Sequence, residues 1–190
     1  MSPSRKSNRY ARRTEAGERL ALALGADAHR AVYVTATPGG TEVAAHAALG
    51  NAHALLPMTK DERFPDVVMP RPGTMEFLYW VAAAPPFPDE RVEEARVVVF
   101  VDDGLMPTGD IVSLAASLRA AGARRLVVAS PWLSGLARTA LALIADRVVC
   151  GSLIETPIRY PDPVHPEAIA VHGPPFAARP ETAGSDNVWS

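Results

Sequence analysis

Five apolar residues in a row, Val97 to Val101, run without a spacer into two adjacent carboxylates, Asp102 and Asp103, and then into the loop GLMPTGD. A strand with polar residues on alternate positions can leave one face to water, but a strand that is apolar on both faces must be covered above and below. VVVFV therefore reads as a buried strand, and the alternation of strands and helices along the rest of the chain implies a parallel sheet covered on both faces. AVYVTA, Ala31 to Ala36, is a short β-branched run that ends at TPGG and is followed by a small-residue helix candidate, Glu42 to Leu49. ALLPMT (Ala54 to Thr59) and FLYWVAA (Phe77 to Ala83) read as further strands, the first short or at an edge because Pro57 has no N–H for a ladder. Beyond the two acids, Ile111, Leu114, Ala115 and Leu118 fall at i, i+3, i+4 and i+7, with Gly122 placed to close that helix. RLVVAS, Arg125 to Ser130, is the next strand. A second helical stripe, Leu133, Leu136, Ala137, Ala140, Leu141 and Ile144, leads to a last strand, DRVVC.

The 190 residues, 48% of them hydrophobic, suit one compact domain. Residues 1–9 read as a basic tail, 10–170 as the domain and 171–190 as a proline-rich tail. A net charge of −2 provides no global field toward nucleic acid or an anionic membrane, which leaves small molecules or protein as expected partners. The single cysteine, Cys150, cannot form an internal disulfide and reads as a buried residue ending an apolar run. There is no apolar run of about 20 residues to span a bilayer, and the N-terminus lacks the apolar core of a secretory signal, so a cytoplasmic location is expected.

In a sheet of this kind ligands bind outside the carboxyl ends of the strands. Two segments at such ends have the chemistry of a site, TPGGTE after the first strand and DDGLMPTGD after the central one. Two neighbouring acids at a buried strand end repel each other and lose hydration, unless a cation, a polyol or hydrogen-bond donors lie between them. Asn at both positions is expected to abolish ligand binding, to keep the fold and to relieve that repulsion. Asp110 reads as the N-cap of a helix beginning at Ile111.

The segment VVVFVDDGLMPTGDIVSLAASLRAAGARRLVVASP resembles the phosphoribosyl-diphosphate-binding region of type I phosphoribosyltransferases. The resemblance extends to YARRTEAGERLALAL (Tyr10 to Leu24), TATPGGTEVAAHAALG, LPMTK, ADRVVC and YPDPVHPEAI, in the order found in a group of bacterial phosphoribosyltransferases of unassigned substrate. It covers about Tyr10 to Ile169 and implies a single-domain type I phosphoribosyltransferase-like α/β fold, a central parallel β-sheet flanked by helices. It also implies roles. Asp102 and Asp103 would bind the ribose hydroxyls and help hold Mg²⁺ near the sugar. Gly104, Leu105, Met106, Thr108, Gly109 and Asp110 would form the loop around the 5-phosphate, and Thr37, Pro38, Gly39, Gly40 and Thr41 the loop around the diphosphate. Lys60, with Arg63 nearby, would be a diphosphate contact.

The chain also departs from the family. Aligned without a gap, MPTGD stands where the family has a run such as TTGGT; Pro107 has no N–H and Asp110 is an anion in place of a threonine hydroxyl. Aligning Thr108–Gly109 with the family's Thr-Gly instead inserts one residue and puts the helix out of step. Gly39 stands where the nearest relatives carry Arg, and Met106 where the 6-oxopurine enzymes carry an acidic base.

The remaining residues have structural readings. His29, His46, His53, His165 and His172 have no metal-ligand spacing. Trp80 reads as core, Trp189 as part of the tail, and Arg5 to Arg13 as the solvated start of a helix. The expected function is Mg²⁺-dependent transfer of a phosphoribosyl group between phosphoribosyl diphosphate and a nucleobase or small amine acceptor, in a protein that could pair as a homodimer. The alternative is a catalytically degenerate nucleotide or sugar-phosphate-binding sensor or assembly subunit.

Overall fold

The protein's structure, a computed structural model, describes residues 13–48, 52–57 and 69–154. Its elements are α1 (Arg13–Leu24), a 3₁₀ turn (Gly25–Ala28), β1 (Val32–Thr35), α2 (Pro38–Ala48), β2 (Ala54–Pro57), α3 (Met75–Ala82), α4 (Glu90–Glu94), β3 (Val98–Val101), α5 (Thr108–Ala120), β4 (Leu126–Ser134), α6 (Gly135–Leu141) and β5 (Arg147–Ile154). The strands form one five-stranded sheet in the order β2-β1-β3-β4-β5, every neighbouring pair parallel. This is the α/β architecture expected from the sequence, with VVVFV at its centre and the Pro57 strand at its edge.

Successive residues of each strand point to opposite faces, and each face has its own core. Val32, Val34, Val98, Phe100, Leu126 and Val128 pack under α3, α4, α5 and α6. Tyr33, Val99, Val101, Val127 and Ala129 pack under α1 and α2. The buried sheet residues thus form both faces of the sandwich, which is why β3 reads as an unbroken apolar run and β1 as a β-branched and aromatic one.

FLYWVAA is helical, contrary to the expectation of a strand. Thr74 caps α3 by accepting a hydrogen bond from the Phe77 N–H at 3.2 Å, and this fixes a helix on a segment whose composition also suits a strand. Phe77 is buried and Trp80, half-buried, stacks on it with ring centroids 6.0 Å apart, so Trp80 belongs to the core as expected. α2 and α5 also start earlier than their apolar stripes suggest, at Pro38 and Thr108. Leu133 lies in β4 rather than in the following helix, and α6 is shorter than the stripe that runs to Ile144.

Gly122 closes α5 as its position implies. With φ at +88°, it donates to Arg119 O while Ala123 donates to Leu118 O, the double bond pattern of a glycine-terminated helix. None of the helices among the described residues is long and apolar enough to cross a membrane.

Candidate functional site

The strand order decides where a ligand can enter. β1 leads to β2 on one side and β3 lies on the other, so the chain reverses its direction of winding between β1 and β3 and opens a crevice at their carboxyl ends. Thr35 is in register with Val101, which brings the residues after each strand together. TPGGT and DDGLMPTGD are therefore neighbours in space. Gly40 lies against the end of β3, where a Cβ would come within 3.0 Å of Val101 O.

In the first loop Thr37 is the N-cap of α2. Its hydroxyl accepts from the Gly40 N–H at 2.9 Å, Pro38 takes the first helical position, and Thr41 donates its N–H to Thr37 O. The Thr41 and Thr35 hydroxyls are 2.8 Å apart, tying the first turn of α2 to the end of β1.

Asp102 and Asp103 are both buried, each about 2% exposed. Asp102 still belongs to the sheet through its N–H, which donates to Ala129 O. One oxygen of its carboxylate, Oδ2, accepts from the Gly104 N–H at 2.7 Å; the other, Oδ1, is buried without a hydrogen-bond partner. Burial pushes the Asp102 carboxyl up to about 7, and the charge of Asp103 adds to this, while N–H groups of Gly104, Met106 and Asp103 pull the other way.

Asp103 has a different environment. Its Oδ2 accepts from Arg13 Nε at 3.1 Å and from Arg13 Nη2 at 3.0 Å, and its Oδ1 accepts from the Leu105 N–H at 3.3 Å. Arg13 is itself only 8% exposed. The expectation that Arg13 belongs to a solvated helix start is thus wrong: the first turn of α1 delivers a cation into the crevice. The charge of Asp103 still pushes up the carboxyl of its neighbour Asp102, although this guanidinium pairs with Asp103. α1 can bring it there because Gly17, one turn on, touches α2 so closely that a Cβ would lie 2.5 Å from both Val43 O and His46 Cβ. The sequence signal was present in the i, i+4 spacing of Arg13 and Gly17, which places both on one helix face.

The second loop turns at Gly104, whose φ of +88° suits glycine and whose Cα rests on Trp132; a Cβ would come 3.0 Å from the ring. Trp132, buried in the extension of β4 past the end of β3, supports the loop from below and was not singled out by its sequence context. Leu105 is exposed and Met106 packs against the core from its edge.

α5 then begins at Thr108, so the N-cap position is Pro107 and not Asp110. The displaced start changes the meaning of both departures. Pro107 occupies a position whose N–H is outside the helix. The N–H groups of the first turn, Thr108, Gly109 and Asp110, are not used by the helical ladder, which starts with Ile111 donating to Pro107 O. Asp110 in that turn interacts favourably with the helix dipole. The Thr108 hydroxyl lies 3.2 Å from that of Ser134, the N-cap of α6, so the start of α5 is braced against α6.

All the sequence-predicted residues of the two loops are thus gathered at one end of β1 and β3. Lys60 and Arg63 lie outside the described residues. Among the described histidines, His29 is exposed and His46 and His53 are half-buried, and no group of three or more His, Cys, Asp or Glu capable of holding a metal occurs among the described residues. Cys150 packs at the edge of the core.

No protein-family profile matches the chain, and no curated protein matches it. Among solved structures it is similar to the crystal structure of TT1426 from Thermus thermophilus, with 23% identity and a TM-score of 0.57 over 86% of this chain and 96% of that one. At that identity the similarity concerns the fold alone, shared over nearly the whole length of that chain.

Proposed function

We propose that this protein binds magnesium phosphoribosyl diphosphate in the β1/β3 crevice and transfers the phosphoribosyl group to a nucleobase or small amine acceptor. One observation carries the reading: two carboxylates are buried side by side where the chain reverses its winding, and one of their oxygens, Asp102 Oδ1, has no hydrogen-bond partner. A buried acceptor without a donor is costly, and a ligand hydroxyl or a hard cation at that oxygen would remove the cost. Two carboxylates with no third metal-ligating side chain among the described residues fit a Mg²⁺ ion shared with the oxygens of a ligand, and do not fit one held by protein alone. When bound, such an ion would neutralise charge on the departing diphosphate.

The chain's own residues have defined tasks in this reading. Asp102 and Asp103 accept hydrogen bonds from the ribose diol, and their charge favours the cationic sugar that develops as the diphosphate leaves. The N-terminus of α5, with the N–H groups of Thr108, Gly109 and Asp110, receives the 5-phosphate. The Thr37–Thr41 loop, whose Gly39 lets Asp103 and Arg13 pack against it, receives the diphosphate.

A second reading, a site that binds the sugar phosphate without turning it over, is favoured by the Arg13–Asp103 pair, which already occupies one of the two carboxylates. Turnover separates the two. Diphosphate release from magnesium phosphoribosyl diphosphate, measured across a panel of purine, pyrimidine and small amine acceptors, is expected with at least one acceptor and is expected to fall by roughly a hundredfold or more in Asp102→Asn, the loss of an interaction of about 3 kcal/mol. Binding with no diphosphate release from any acceptor would favour the second reading.

A further inference from the structure

We propose that Arg13 is the phosphate-contacting cation of this site, held on Asp103 until a ligand that carries both a phosphate and a sugar diol displaces it. The inference rests on the phosphoribosyl diphosphate reading and assigns a role to a residue outside both loops. Its basis is the place of the guanidinium. Nε and Nη2 both donate to a single oxygen of Asp103, at 3.1 and 3.0 Å, while the other oxygen is taken by the Leu105 N–H. The same guanidinium lies over Gly39, the second residue of α2: a Cβ built there would overlap Asp103 Oδ2 and come 2.6 Å from Arg13 Nε. A cation has therefore been brought in from α1 to the N-terminus of α2, the place where the ends of the helical N–H groups favour an anion.

For structural purposes alone this is a poor use of an arginine. A buried ion pair is seldom better than apolar packing of the same volume, because both partners lose their hydration. In a binding site the arrangement has a use. A planar guanidinium bonds two phosphate oxygens as readily as a carboxylate, and a carboxylate accepts from a diol as readily as from arginine. A ligand with both groups can therefore exchange partners with the pair, Arg13 passing to phosphate and Asp103 to sugar or ion, with no buried charge left alone at the end. A ligand with only a phosphate must compete with Asp103 for Arg13.

This competition provides the test. Calorimetric titrations with inorganic diphosphate without magnesium, and with magnesium phosphoribosyl diphosphate, are made on the wild type, Asp103→Asn, Arg13→Lys and the double variant Arg13→Met/Asp103→Asn, with thermal melts to establish folding. Asp103→Asn, which removes the carboxylate competing for Arg13, is expected to bind diphosphate roughly tenfold tighter than the wild type, and the double variant is expected to lose that gain. Arg13→Lys, a point charge without the planar fork, is expected to bind phosphoribosyl diphosphate more weakly than the wild type while melting cooperatively. Diphosphate bound no better by Asp103→Asn than by the wild type, or equally by Asp103→Asn and the folded double variant, would overturn the assignment of Arg13, even if the wild type binds phosphoribosyl diphosphate. The converse result, diphosphate gained in Asp103→Asn with no phosphoribosyl diphosphate binding in the wild type, would uphold Arg13 as an anion contact and remove the phosphoribosyl reading.

Discussion

Asp102 and Asp103 are adjacent in sequence, equally buried and different in electrostatics, and the difference is set by what each oxygen meets. Asp103 faces a guanidinium; Asp102 accepts from the Gly104 N–H at one oxygen and has no hydrogen-bond partner at the other. The raised Asp102 carboxyl has a consequence for stability. An ordinary aspartate releases its proton near 3.8, whereas folded Asp102 retains its proton up to about 7. Between these values the folded state binds more protons than the unfolded one, so the contribution of this proton to stability is full below the lower value and is lost as pH rises through the higher one. In metal-free buffer the stability of the wild type relative to Asp102→Asn should therefore decline from pH 4 to pH 7.5, by no more than about 1.4 kcal/mol per pH unit. Urea unfolding of both proteins at several pH values measures it, and a flat or rising difference would refute the burial of this carboxyl in acid form. For Asp103 the expectation of harmless substitution by Asn is revised, because Asn there removes a carboxylate that pairs with the buried Arg13.

The elements show which parts of the sequence were legible and why. VVVFV announced a central strand because both faces of β3 are buried, and Pro57 announced an edge because β2 has only one neighbour. FLYWVAA misled because bulky apolar residues satisfy strand and helix alike, and the deciding bond, from the Phe77 N–H to the Thr74 hydroxyl, lies at the segment's margin. The start of α5 misled for a similar reason: Asp110 has the chemistry of a cap, but the helix began before its apolar stripe. Arg13 reads as solvated because charge at a helix start usually is, and only the close approach of α1 to α2 at Gly17 carries it inward. That approach is itself testable. Gly17→Ala puts a methyl group into Val43 O and His46 Cβ, so α1 must move away, at a cost of about 1–3 kcal/mol. Thermal unfolding should register the loss, and affinity for phosphoribosyl diphosphate should fall with it, since Arg13 moves with the helix. Unchanged affinity in a destabilised Gly17→Ala variant would detach α1 from the site.

For the molecule as a whole, topology gathers the chemistry. Five parallel strands place every βα loop at one edge, and the reversal between β1 and β3 selects two of them, the pair that the sequence marks with glycines and with acids. α1 adds a cation, β4 extends beyond β3 to support Gly104 with Trp132, and α6 braces the start of α5. The apolar patterning of the chain revealed the sheet, and glycines and acids marked both loops; of the contacts between elements distant in sequence, Gly104 with Trp132 left no periodic trace and Arg13 with Asp103 only the i, i+4 spacing of Arg13 and Gly17. On the proposed reading, the buried acid pair in the β1/β3 crevice recognises the sugar of a phosphorylated ribose. Its most direct test is calorimetric titration of magnesium phosphoribosyl diphosphate into the wild type and into the double variant Asp102→Asn/Asp103→Asn, with folding of both established by thermal melts. One site per chain in the wild type and no measurable binding in the folded double variant is the predicted result, and equal affinity in the two proteins, or no binding to the wild type, would contradict it.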